Sequence, residues 1–165
     1  MSQRSSILLV CMGNICRSPT AHGVLRHRAA ASGQLEKLHL DSAGTHGFHV
    51  GAGPDRRSLA AAARRGYEFG DLRARQVIAD DLHTFDYVLA MDRDNLHVLE
   101  AMVARHGASA HVGMFMAFAP TDTGVEIPDP YYGGTNGFEL VLDLIERGSD
   151  GLLHHLQQGS SSSSV

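Results

Sequence analysis

The chain has 165 residues, 43% hydrophobic and 19% charged, with a formal net charge of -4 and two cysteines. That length and apolar content suit one domain with a sizeable core, and an acidic balance without a basic run argues against nucleic acid as a partner. The longest early apolar stretch, residues 7–12, is too short for a signal peptide or membrane span. Two cysteines without a secretory signal fit a reducing, cytoplasmic compartment. Their spacing fits no zinc framework, and scattered histidines leave no metal site or cofactor expected.

In chain order, residues 6–11 predict the first strand, because Ile7, Leu8, Leu9 and Val10 form a branched apolar run too short for a helix. A helix over 18–33 follows, opened by Ser18-Pro19, where the hydroxyl can cap an orphan N–H and proline loses nothing in the first turn. Strands are expected near 36–42, 84–91 and 110–116, with helices near 56–66, 92–106 and 136–157. Strand and helix alternate. This predicts an α/β three-layer sandwich, a central four-stranded parallel sheet with helices on both faces and the site at the strands' carboxyl ends. Residues 1–158 form the expected domain. Gly159 and the serines from Ser160 to Ser164 belong to a flexible Ser-rich tail over 159–165.

The most informative segment is CMGNICRSP, from Cys11 to Pro19. Cys11 falls at the end of the first strand, and Ser18 opens the helix after it. A loop returning from strand to helix so quickly turns its N–H groups inward, and the helix N-terminus adds a positive dipole end. Phosphate or another oxyanion fits such a cradle. Gly13 lets the backbone approach the ligand, Asn14 tolerates left-handed dihedrals, and Arg17 offers a planar guanidinium to two phosphate oxygens. The same donors, with the Ser18 hydroxyl in reach, favour a Cys11 thiolate as nucleophile. On its own, a cysteine at a strand end is more often a small buried apolar residue. The strand before it, Gly and Asn within the loop and Ser-Pro after it tip the reading toward chemistry.

A thiolate attacking a phosphate ester needs an acid to protonate the departing oxygen. Asp129 is the best candidate. It sits in EIPDPYYGG, where Pro128 and Pro130 stiffen the backbone, Tyr131 and Tyr132 offer aromatic surface, and Gly133-Gly134 end the segment as a turn. His46, His49 and the pair His154-His155 show no ligand spacing and read as solvated surface residues.

These motifs closely resemble the low-molecular-weight protein tyrosine phosphatases. The resemblance runs from Ile7 to about Leu153 and adds SAGT at Ser42–Thr45, PDRRS at Pro54–Ser58, RARQ at Arg73–Gln76 and FDYVLAMD ending at Asp92. It implies Cys11 as nucleophile, Arg17 as phosphate clamp, Asp129 as general acid and then base, and Ser18 as hydrogen-bond donor to the thiolate. Met12, Gly13, Asn14, Ile15 and Cys16 complete the phosphate-binding loop, with Asn14 and Ser42 holding its strained shape. Met12, Ile15, Phe48, Tyr131 and Tyr132 would wall the cleft. The implied partner is a phosphotyrosine-containing protein, with a cognate tyrosine kinase as one candidate, and no metal is required.

Two departures from the family pattern bear on function. Leu72 precedes RARQ, where relatives commonly carry a histidine that supports the loop, and Phe48 stands where some have tryptophan. Cys16 corresponds to a family position where a neighbouring cysteine protects the nucleophile from over-oxidation through a disulfide. Three related activities remain as alternatives. An arsenate reductase would need cysteines downstream of Cys16, and there are none. A phosphocysteine carrier would need neither Arg17 nor Asp129. A protein-arginine phosphatase tends to carry threonine at the position of Ile15.

Overall fold

The structure, a computed structural model, describes residues 4–130 and 134–162. Its centre is a four-stranded sheet of β1 (Ser5–Cys11), β2 (Leu38–Gly44), β3 (Tyr87–Ala90) and β4 (His111–Met114), all parallel, in the order β2-β1-β3-β4. The helices are α1 (Arg17–Ala31), α2 (Arg56–Ala63), α3 (Asp81–Thr84), α4 (Arg93–His106) and α5 (Gly134–Ser162).

The alternation of β1 builds the three layers, because successive side chains point to opposite faces. Ile7, Leu9 and Cys11 join the cluster containing Val24 and Leu25 of α1 and Leu142 and Ile145 of α5. Leu8 and Val10 join Leu82 of α3 and Leu99 of α4 on the other face. All four β1 residues from Ile7 to Val10 are completely buried, which explains an unbroken apolar run in place of alternating polarity. Glycine permits the closest approach within the α5 layer. A side chain at Gly151 would collide with the Phe118 carbonyl of the 3-10 turn over Phe115–Phe118.

The expected parallel sheet with helices on both faces is what the chain forms, with shifted boundaries. β3 starts at Tyr87 because the four-residue helix α3, too short to carry a periodic signal, and its cap Phe85 occupy the preceding stretch. β4 gives way at Phe115 to the 3-10 turn. Helix α5 runs to Ser162, past residue 158, where a flexible tail is expected from composition. Among the described residues, no helix is long and apolar enough to cross a membrane.

The site's position follows from register. Cys11 pairs with Gly44 at the carboxyl ends of β1 and β2, and Val10 pairs with Ala90 of β3. The loops after β1, β2 and β3 therefore meet at one edge of the sheet, on the switch between strands whose connections run to opposite sides.

Candidate active site

The chain between β1 and α1 folds back over the Cys11 sulfur. Asn14 adopts φ 57°, the one left-handed residue other than glycine among the described residues, and asparagine tolerates that conformation better than most side chains. The turn aims the Asn14 backbone N–H at Cys11 Sγ, 3.3 Å away. Ser18 Oγ lies 3.0 Å from the same sulfur and accepts a hydrogen bond from Asn14 Nδ2 at 2.7 Å. Toward a Cys11 thiolate, which can only accept, the hydroxyl is the donor, the Ala43 carbonyl at 3.5 Å being the more distant acceptor. Cys11 thus has two donors converging on it and is 2% exposed.

This geometry corrects the expected role of Ser18, which does not cap the helix. The helix starts at Arg17 with Cys16 in the cap position, and no side chain caps it. The uncapped N–H groups of the first turn remain directed at the loop, where an anion would take the place of a cap. Pro19 falls within that turn, where its missing N–H costs nothing.

Arg17 is buried, and its guanidinium is fixed from two sides. Nη1 donates to Asp92 Oδ2 at 2.6 Å and to the Ile127 carbonyl at 3.0 Å. Nη2 lies 3.9 Å from Asp129 Oδ2. Burial opposes the charge, but the Cys11 sulfur and the Asp92 carboxylate outweigh it and hold the guanidinium above its ordinary value. Asp92 does double duty, since its other oxygen accepts from Asn95 N at 2.8 Å as the N-cap of α4. The segment bearing Asp129 is tied down nearby. Ile127 N donates to the Met91 carbonyl at 2.9 Å, and Glu126 accepts from Arg93 N at 2.9 Å. Neither Asp92 nor the Ile127 carbonyl is singled out from the sequence, because both contacts join residues far apart in the chain.

Cys11, Met12, Gly13, Ile15, Cys16, Arg17, His49 and Asp129 line one cleft of about 210 Å³. Met12 is 45% exposed, so it faces the cleft rather than the core. Phe48 is not in the lining. Its side chain is 84% exposed and stacks on His46 with centroids 5.4 Å apart. His49, read from the sequence as a plain surface residue, lines the cleft in its place, with its ring against Gly13. Tyr131 and Tyr132 lie outside the described residues.

Ser42 is buried behind the loop in a crevice shared with Asn14, Pro19 and Leu72, too tight to admit water. Leu72 packs into the core cluster instead of offering a polar group. Gly44 closes the same side, where an added Cβ would stand 2.7 Å from the Met12 carbonyl oxygen. Cys16 is a buried free thiol, as is Cys11. Burial chiefly, and then the Asp55 charge, push the Cys16 thiol up to about 12, against an opposing hydrogen bond with Ser58. Among the described residues, no three His, Cys, Asp or Glu side chains cluster to hold a metal ion.

The chain that carries this cysteine, arginine and carboxylate in one cleft is similar over nearly its whole length to known proteins. Residues 6–162 match the family model described as low molecular weight phosphotyrosine protein phosphatase. The low molecular weight protein-tyrosine-phosphatase YfkJ of Bacillus subtilis is 39% identical over 153 residues, 93% of this chain and 96% of its own. The crystal structure of YfkJ superposes with a TM-score of 0.88 at 38% identity, covering 95% of this chain and 97% of that one. The protein tyrosine phosphatase of Entamoeba histolytica with Hepes in its active site gives 0.87 at 36% identity, covering 94% and 99%. A Drosophila arginine phosphatase gives 0.84 at 30% identity, covering 91% and 96%. A match of this extent makes the chain a member of the low molecular weight phosphotyrosine protein phosphatase family.

Proposed function

We propose that the chain hydrolyses phosphotyrosine in proteins through a phosphocysteine intermediate. The carrying observation is the pair of donors, Asn14 N–H and the Ser18 hydroxyl, converging on Cys11 Sγ in the cleft that Arg17 and Asp129 also line. In the first step the Cys11 thiolate attacks phosphorus, the bond to the tyrosyl oxygen breaks, and Asp129 gives that oxygen a proton. In the second, Asp129 removes a proton from water, whose oxygen attacks phosphorus and releases phosphate and the Cys11 thiolate. Arg17 and the loop N–H groups meet the charge on the equatorial oxygens throughout. A guanidinium already fixed by Asp92 and Ile127 has little reorganisation left at the moment of reaction.

The phosphotyrosine preference is supported by the half-buried Ile15 and exposed Met12 in the lining, which give a flat ring apolar walls and leave no hydroxyl at position 15 to accept from a phosphoguanidinium. Hydrolysis of phosphoarginine is the second reading, favoured by the likeness to the Drosophila arginine phosphatase. The protein substrate is a tyrosine-phosphorylated protein of the cytoplasm, with a cognate tyrosine kinase among the candidates. Two free thiols in the site suit that reducing compartment. Phosphate release from matched phosphotyrosine and phosphoarginine peptides, for the parent and Cys11→Ser, tests the proposal. Cysteine-dependent release favouring phosphotyrosine is expected, and a preference for phosphoarginine would replace the first reading with the second.

Cys16, lining the same cleft as Cys11, supports a further role beside the nucleophile. When peroxide converts the Cys11 thiolate to a sulfenic acid, the Cys16 sulfur displaces hydroxide, which leaves as water, and forms a disulfide that a thiol reductant reopens.

A further inference from the structure

The phosphate loop is braced from behind by a residue that the mechanism does not use. Asn14 Oδ1 accepts from the backbone N–H of Arg75 at 3.0 Å. An amide group has one acceptor end, so this contact decides which way the Asn14 side chain faces and turns Nδ2 toward Ser18 Oγ. Ser18 is left with its proton for the Cys11 sulfur. The order of donors and acceptors from residue 75 to the nucleophile is therefore fixed at its start by one backbone N–H.

That N–H is held in place by an ion cluster. The Arg75 guanidinium contacts Asp81 at 3.0 and 3.1 Å, and Asp41 at 3.0 and 3.1 Å. Asp81 is buried and also accepts from Ile78 N at 2.8 Å, while Asp41 accepts from Ser42 N at 2.8 Å. Around them, Gly44 N donates to the Arg75 carbonyl and Val77 N to the Gly44 carbonyl, both at 2.8 Å. The side chain thus fastens α3 to the middle of β2 at Asp41, while the Arg75 backbone meets the strand's end at Gly44. No polar side chain at 72 shares the task, since Leu72 packs into the core and the crevice beside Asn14 has no room for a water.

We infer that the Asp41–Arg75–Asp81 cluster positions the phosphate loop, and that Arg75 is a positioning residue whose backbone N–H sets the polarity of the hydrogen-bond chain ending on Cys11. The inference rests on the loop being the catalytic cradle, and its test has one readout that does not depend on phosphatase activity. Arg75→Met keeps an unbranched apolar stem and removes the guanidinium with its charge. Two quantities are measured well below the melting temperature: kcat and KM on a phosphotyrosine peptide, and the rate of Cys11 alkylation by iodoacetamide at mildly acidic pH, located by peptide mass. Positioning predicts a fall in kcat of roughly ten-fold or more with KM within about three-fold, together with a several-fold slower alkylation. A brace that only adds stability would lower the melting temperature and leave both rates within two-fold of the parent, which overturns the inference.

Should Arg75→Met fail to fold, Asp41→Asn at the more exposed end of the cluster serves instead. Both losses are expected at smaller size, and their absence overturns the inference equally. A parent protein without activity on phosphotyrosine would count against the proposed function alone, because the alkylation comparison still decides the role of Arg75.

Discussion

Arg17 and Asp92 form the tightest ion pair of the site, 2.6 Å between Nη1 and Oδ2, and they join the first turn of α1 to the cap of α4. One carboxylate thereby sets both the aim of the phosphate clamp and the start of a helix. The two tasks separate by substitution. Asp92→Asn keeps a good capping side chain but loses the charge that orients Arg17, so kcat should fall roughly ten- to a hundred-fold with little change in melting temperature. Asp92→Ala should add a loss of about 1 kcal/mol in stability for the missing cap. Steady-state kinetics beside thermal melts check this. Unchanged kcat in the Asn variant would mean that the Ile127 carbonyl suffices to hold Arg17.

Asp129 sits close enough to Arg17 to share the rim of the cleft, and its proposed work is proton transfer. Replacing it with alanine should slow esters with poor leaving groups by ~100-fold or more, because those oxygens need a proton as they depart. Activated aryl phosphates, whose leaving groups depart as anions, should lose far less. A plot of rate against leaving-group basicity checks the assignment, and an equal loss at both ends would remove Asp129 from the acid role.

Much of this was legible from local sequence. The strand before Cys11, the loop glycine and asparagine and the helix opening all lie within a few residues of one another, so pattern and propensity speak directly. What stayed hidden depends on distance in the chain. Asp92 is 75 residues from Arg17 and Ile127 is 110 away, and nothing local in either segment announces the contact. Ser18 reads both as a cap, because a hydroxyl ahead of proline satisfies that pattern, and as a donor to the Cys11 sulfur, and the fold keeps only the second role and adds the Asn14 amide as its partner. His49 and Phe48 are neighbours on one loop, and which of them meets the cleft depends on how that loop rests against Gly13.

His22 provides a pH signature of the fold. It is buried on α1 with Nδ1 unpartnered among the described residues, and burial chiefly, with the Arg26 and His39 charges adding and the Asp41 and Asp71 charges opposing, lowers it from 6.5 to about 4. Above pH 6.5 the imidazole is neutral in both states and adds no pH dependence. As pH falls below that value, the unfolded chain takes up a proton that the folded one refuses until about 4, so stability is lost across the window. The loss attributable to this group is roughly 3 kcal/mol. Urea midpoints of the parent and His22→Leu, compared from neutral pH down to pH 4, should converge as the pH falls if the parent starts more stable. Parallel curves would show that His22 does not titrate in this way.

Cys16 should decide whether oxidation is reversible. After brief peroxide treatment, the parent should regain activity with a thiol reductant, while Cys16→Ser should remain inactive because its sulfenic acid goes on to sulfinic acid. Equal recovery in both would leave Cys16 as a packed thiol only.

The most direct test of the account is to stop the enzyme in mid-turnover. The protein is mixed with a phosphotyrosine peptide, quenched in acid within the first turnovers, digested and read by mass spectrometry for covalent phosphate. The account predicts phosphate on the peptide containing Cys11, at the sulfur, and neither adduct nor turnover in Cys11→Ser. Turnover that persists in Cys11→Ser, or phosphate attached to any other residue, would contradict it.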